Sequence, residues 1–156
     1  MAAADLDAAL AGAERVLLDS SALIAFHTTL ERAHPLAEHV LDRIADDADP
    51  LRGYYSCVSA VELLVRPIRS GQDRFTFMHV FLTRFPHLME LPLDMVVAVQ
   101  AANLRAVAGL ALPDAVVVAS GLLAGCEAIV TNDGRWKRRC EPLFRQFKWI
   151  YLEDYC

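Results

Sequence analysis

Apolar residues along this chain keep two alternating rhythms: short continuous runs, and longer stretches that repeat every three or four positions. The runs at 16–18, 54–58, 88–91, 128–131 and 149–152 are bounded by polar or turn residues and predict strands. Between them, 35–47 sets Leu36, Val40, Leu41 and Ile44 at helical spacing. Further helices are expected over 22–26, 59–65, 73–84, 94–108 and 113–123. Pro67 is read as the stop of the helix opened by Ser59, Pro92 and Gly109 bracket the helix at 94–108, and Gly125 closes the one at 113–123. Strands alternating with helices predict an α/β fold, a three-layer α/β/α sandwich around a mainly parallel sheet.

That frame places four acids. Asp19 and Asp133 follow the ends of the first strand and of the strand at 128–131, while Glu62 and Asp114 fall in the first turns of the helices at 59–65 and 113–123. In a parallel α/β domain, crossover helices begin at the edge where strands end, which is where such sheets bind ligands. All four acids therefore meet at one edge. Each also has an ordinary explanation: Asp19 as an N-cap, Ser59 to Glu62 as a capping box, Asp114 beside Pro113 in a first helical turn, and Asn132-Asp133-Gly134 as a turn.

Together the acids are harder to explain as isolated caps. Two carboxylates about 5 Å apart repel by roughly 3 kcal/mol at an effective dielectric of 20. Four of them, fully ionised in one cleft, would cost on the order of 10–20 kcal/mol without a counter-charge. Either some are protonated or a cation sits among them. Oxygen ligands without clustered His or Cys favour Mg²⁺ or Mn²⁺, and such a metal among helix N-termini suits phosphodiester hydrolysis.

Composition sharpens this picture. The 156 residues suit one domain, taken as 1–156 with residues 1–15 as an N-terminal extension. The formal charge of −5 excludes a protein that coats nucleic acid by bulk positive charge. Yet residues 134–148 hold six basic side chains against Glu141 alone. Arg135, Lys137, Arg138 and Arg139 follow Asp133 directly and are candidates to bind single-stranded nucleic acid, with Trp136 either a stacking surface among them or part of the core. The longest apolar run, 115–126, is too short to cross a membrane. The N-terminus lacks a basic signal region, and Cys57, Cys126, Cys140 and Cys156 form no close pair. A cytoplasmic location is expected.

Residues 18–24, Leu-Asp-Ser-Ser-Ala-Leu-Ile, resemble the first motif of the PIN-domain nucleases. Residues 59–63 are similar to the second, Asp114 to Ala119 to the third, and Ile129 to Asp133 to the fourth. The resemblance implies Mg²⁺- or Mn²⁺-dependent cleavage of RNA, with Asp19, Glu62, Asp114 and Asp133 holding metal and activating water. Ser20, Ser21, Thr131 and Asn132 would be supporting polar groups that orient acids, metal or water. Among such nucleases the chain looks most like the toxin of a VapBC-type toxin–antitoxin pair, which implies a homodimer and a small antitoxin partner. About 15 residues stand ahead of the first motif, and no acid follows Asp133 until Glu141, leaving one-metal and two-metal arrangements both open.

Other chemistries lack their residues. Ser21 stands where a haloacid-dehalogenase phosphatase would carry a second Asp, and no dinucleotide, P-loop or serine-hydrolase motif occurs. An RNA-processing nuclease outside a toxin system and a non-catalytic binding module are the alternative readings. His27, about two helical turns after Asp19, is a candidate to face the cleft, with an ordinary surface or core role the preferred reading. Phe77, Phe81 and Phe85 share a helix face that is expected to form a dimer or antitoxin groove, with core packing the competing explanation.

Overall fold

The computed structural model describes residues 2–156. Its strands are β1 (Arg15–Leu18), β2 (Arg52–Ser56), β3 (Leu88–Leu91), β4 (Ala128–Thr131) and β5 (Lys148–Tyr151). They form one sheet in the order β3-β2-β1-β4-β5, parallel at every pairing. Helices α1 (Ala2–Leu10), α2 (Ser20–His27), α3 (His34–Ala45), α4 (Cys57–Ser70) and α5 (Gln72–Arg84) supply one core cluster. Helices α6 (Met95–Ala108), α7 (Leu112–Leu123) and the short α8 (Trp136–Arg139) supply the other. The expected α/β fold is thus present.

The central strand shows why its sequence reads as an unbroken apolar run. Val16 and Leu18 enter the first cluster and Leu17 the second, each no more than 2% exposed. A strand covered on both faces needs apolar side chains at consecutive positions. Helix α7 lies close against it, because Gly121 has no side chain: a Cβ there would stand 2.9 Å from Leu17 Cδ2.

Several boundaries differ from the sequence expectation, and one moves a candidate residue. β2 ends at Ser56, whose hydroxyl accepts a bond from Val58 N–H at 3.4 Å and caps α4. Ser59 is therefore a buried residue inside the helix, and Glu62 lies in its second turn instead of its first. The helix also passes through Pro67 and ends only at Gly71, whose φ of 117° suits glycine. Ahead of β1, Leu6 and Leu10 of α1 are buried in the first core cluster.

Chain order reverses beside β1, which pairs with β2 on one side and β4 on the other. A crevice opens at such a reversal, at the carboxyl ends of the strands.

Candidate active site

The crevice is a cleft of about 1050 Å³, and Asp19, Glu62, Asp114 and Asp133 all line it. Asp19 follows β1 directly, Asp133 lies two residues past β4, Asp114 is the third residue of α7, and Glu62 projects from α4. The structure brings the four expected acids to one place.

Asp19 is at the floor, 6% exposed. It occupies the N-cap position of α2 but makes no side-chain cap bond, so capping does not account for it. Its Oδ2 instead accepts bonds from the hydroxyls of Ser21 (2.8 Å) and Thr131 (3.1 Å). Those hydroxyls in turn accept from the backbone N–H of Asn132 (2.8 Å) and Asp133 (3.0 Å). Each hydroxyl has one proton to give, so the network locks the turns after β1 and β4 together around one carboxylate oxygen. Ser20 is marginal, with Oγ 3.5 Å from Asp19 Oδ1. Asn132 contributes its backbone N–H and an amide 3.5 Å from Glu31 Oε2, while its buried Oδ1 has no partner.

The acids differ in electrostatic state. Burial raises the Asp19 pKa, opposed by the bonds from Ser21 and Thr131. Burial also raises that of Asp114, with Arg139 opposing and the Asp133 charge adding to the rise. Asp133 is held below the usual range by Arg135, which grips it through Nε (2.9 Å to Oδ1) and Nη2 (2.6 Å to Oδ2). Arg139 Nη1 lies 3.8 Å from Asp114 Oδ2.

The basic segment thus folds back onto its own acids. Lys137 pairs with Asp154 and sits 4.7 Å from the centre of the Tyr151 ring. Of the four cations expected to bind RNA, only Arg138 has no ion pair among the described residues. Trp136 is 3% exposed and packs edge-on against Trp149, so it belongs to the core and offers no stacking surface.

Mg²⁺ or Mn²⁺ suits the donor chemistry, because the carboxylates lining the cleft are hard oxygen ligands and a dication would offset the Asp133 charge that adds to the burial-driven rise at Asp114. Among the described residues, no three His, Cys, Asp or Glu side chains converge as a preformed ligand group. Arg135 and Arg139 lie against Asp133 and Asp114 in this arrangement.

Further residues line the cleft beside the acids. His27 lines the cleft with its ring 4.4 Å from that of Phe81, its Nε2 has no hydrogen-bond partner, and burial pushes its pKa down to about 4. Arg66, Arg74 and Phe77 line it from α4 and α5. The spacing of Glu62, Arg66 and Ser70, four residues apart on one helix face, was a usable signal for Arg66.

A family model described as the PIN domain matches residues 16–142. The chain belongs to the PIN-domain family. Solved structures share its fold at low identity. A toxin–antitoxin complex from Klebsiella pneumoniae is 18% identical with a TM-score of 0.65, covering 88% of this chain and 97% of that one. VapBC2 from Rickettsia felis, bound to a DNA fragment from its promoter, is 13% identical with a TM-score of 0.62, covering 88% and 96%. VapC20 of Mycobacterium tuberculosis, a toxin that cleaves the sarcin–ricin loop, is 15% identical with a TM-score of 0.60, covering 78% and 92%. No curated protein sequence matches the chain. Among the described residues, no helix is long and apolar enough to cross a membrane.

Proposed function

We propose that this PIN-domain protein is a divalent-metal-dependent endoribonuclease, the toxin of a toxin–antitoxin pair acting in the cytoplasm. The observation that carries the reading is the meeting of Asp19, Glu62, Asp114 and Asp133 in one cleft at the reversal point of the sheet. The toxin–antitoxin descriptions of the structural neighbours, and loop cleavage by one of them, support the choice of substrate and partner.

In this reading Asp19, Glu62, Asp114 and Asp133 hold Mg²⁺ or Mn²⁺. The metal, when bound, would lower the pKa of a water and stabilise charge on the attacked phosphate. Ser21 and Thr131 fix one oxygen of Asp19. Arg135 and Arg139 stand beside the acids, where they can turn to an incoming phosphate. Exposed apolar side chains on α6, including Met95, Val96, Val99 and Val107, support a protein partner: a second copy or an antitoxin.

The test is cleavage of a mixed RNA pool with Mg²⁺ or Mn²⁺, with EDTA, and with Asp114→Asn. Cutting should vanish in EDTA and fall by more than about 100-fold in the variant, beyond the loss typical of a group one shell removed from a metal. Cutting that survives both would sink the reading. A folded protein that never cuts would favour a non-catalytic PIN-like binding module.

A further inference from the structure

Single-stranded RNA needs cations for its phosphates and flat surfaces for its bases. The segment that looked suited to both supplies little of either, since Trp136 is buried and Arg135, Lys137 and Arg139 face carboxylates. The α4–α5 side of the cleft carries the same chemistry in available form. Arg66 lies one turn beyond Glu62 on α4, about 6 Å along the helix axis. Arg74 and Phe77 lie three residues apart on α5, and all three line the cleft that holds the acids. Neither arginine forms an ion pair with a described carboxylate. Phe77 is 65% exposed, although its neighbour Phe81 is buried against Phe26 and His27.

We infer that Arg66, Arg74 and Phe77 form a strand-binding subsite for single-stranded RNA, with Phe77 stacking a base and the two arginines holding the phosphates beside it. The inference rests on the nuclease reading. It divides the row of phenylalanines expected to act together: Phe81 belongs to the core, and Phe77 faces the cleft. His27, 5.9 Å away and edge-on to Phe77, backs that ring. The acids Glu31 and Asp73 also line the cleft, so the arginines are needed to hold a polyanion there at all.

The experiment measures binding of a fluorescein-labelled random-sequence 12-nucleotide RNA by anisotropy in Mg²⁺, on an Asp114→Asn background so that the strand is held and not cut. Cleavage by the unmodified protein is followed alongside. Phe77→Ala should weaken binding about tenfold, the loss of one base–aromatic stack. Phe77→Trp should keep the affinity, and its emission should be quenched by RNA. Arg66→Ala and Arg74→Ala should each lower the slope of log affinity against log salt by about 0.7. If the unmodified protein cuts RNA but all these variants bind as the background does, the subsite is wrong and the nuclease stands. Unchanged RNA binding with lost self-association in Phe77→Ala would assign the patch to a protein partner and overturn the inference. If the unmodified protein neither binds nor cuts RNA, both readings fall.

Discussion

Asp19 and Asp133 are both cleft carboxylates, yet folding treats them in opposite ways. Burial raises Asp19, so the folded state holds its proton more tightly than the unfolded chain does. Stability linked to Asp19 is therefore fully present below the unfolded pKa of 3.8 and is lost as pH rises through the folded value. Asp133 is lowered by its Arg135 partner, so its contribution is present above 3.8 and is lost as pH falls through the folded value. Asp19→Asn should accordingly raise Tm at pH 7 by several degrees in the absence of metal, because 1 kcal/mol shifts a domain of this size by roughly 2–4 °C. The gain should shrink as pH approaches 4. Asp133→Asn should lower Tm slightly or leave it unchanged. Thermal melts of both variants at pH 7 and pH 4 check the signs, and a destabilised Asp19→Asn protein at pH 7 would contradict the account.

At the scale of elements, the best-read segments are those whose burial leaves no choice. β1 and β4 pass between two helical layers, and their unbroken apolar runs admit no other placement. The acids after them are legible for the same reason, since a strand that must be central has a carboxyl end at the ligand edge. The β2–α4 junction was not legible. Its residues 54–58 are apolar enough to continue a strand, and both Ser56 and Ser59 are capable caps; packing chose Ser56 and left Ser59 fully buried. Pro67 misled because its missing N–H deprives only the Leu63 carbonyl of its helical donor, and α4 survives that single loss to run on to Ser70. Of the α4–α5 wall only Arg66 was within reach, through its spacing from Glu62, because the placement of Phe77 at the cleft depends on how α5 packs on α4 and α2. Gly121 offers a quantitative check on the packing of α7. Alanine there gains about 1 kcal/mol of helix propensity, but its Cβ would meet Leu17 Cδ2 at 2.9 Å and Phe147 Cζ at 3.5 Å. Leu17 is wholly buried and has nowhere to move. Overpacking should prevail, with Gly121→Ala losing about 1–2 kcal/mol in urea unfolding; a stabilised variant would mean that α7 has slack against the sheet.

Across the whole molecule, charge is arranged as a balance that a cation can shift. The protein carries a formal −5, and its cleft is lined by six carboxylates against Arg66, Arg74 and Arg135. Arg135 grips Asp133 from a position three-quarters exposed, so the pair is accessible to exchange. A dication entering this cleft competes with that guanidinium for the same oxygens. Mn²⁺ added to EDTA-stripped protein should therefore raise Tm through binding to the folded state alone, the added stability reaching roughly 2.7 kcal/mol at 100 times Kd. Arg135→Ala should shift the midpoint of that titration to severalfold lower Mn²⁺, because Asp133 is released. Asp114→Asn should remove most of the response. Acidification should weaken it through Asp19 and Asp114, whose carboxyls take up protons at higher pH than an ordinary aspartate. If Arg135→Ala instead raises the Mn²⁺ needed, the arginine organises the acids for the metal and does not compete with it, and the resting charge balance of the cleft would have to be redrawn around that role.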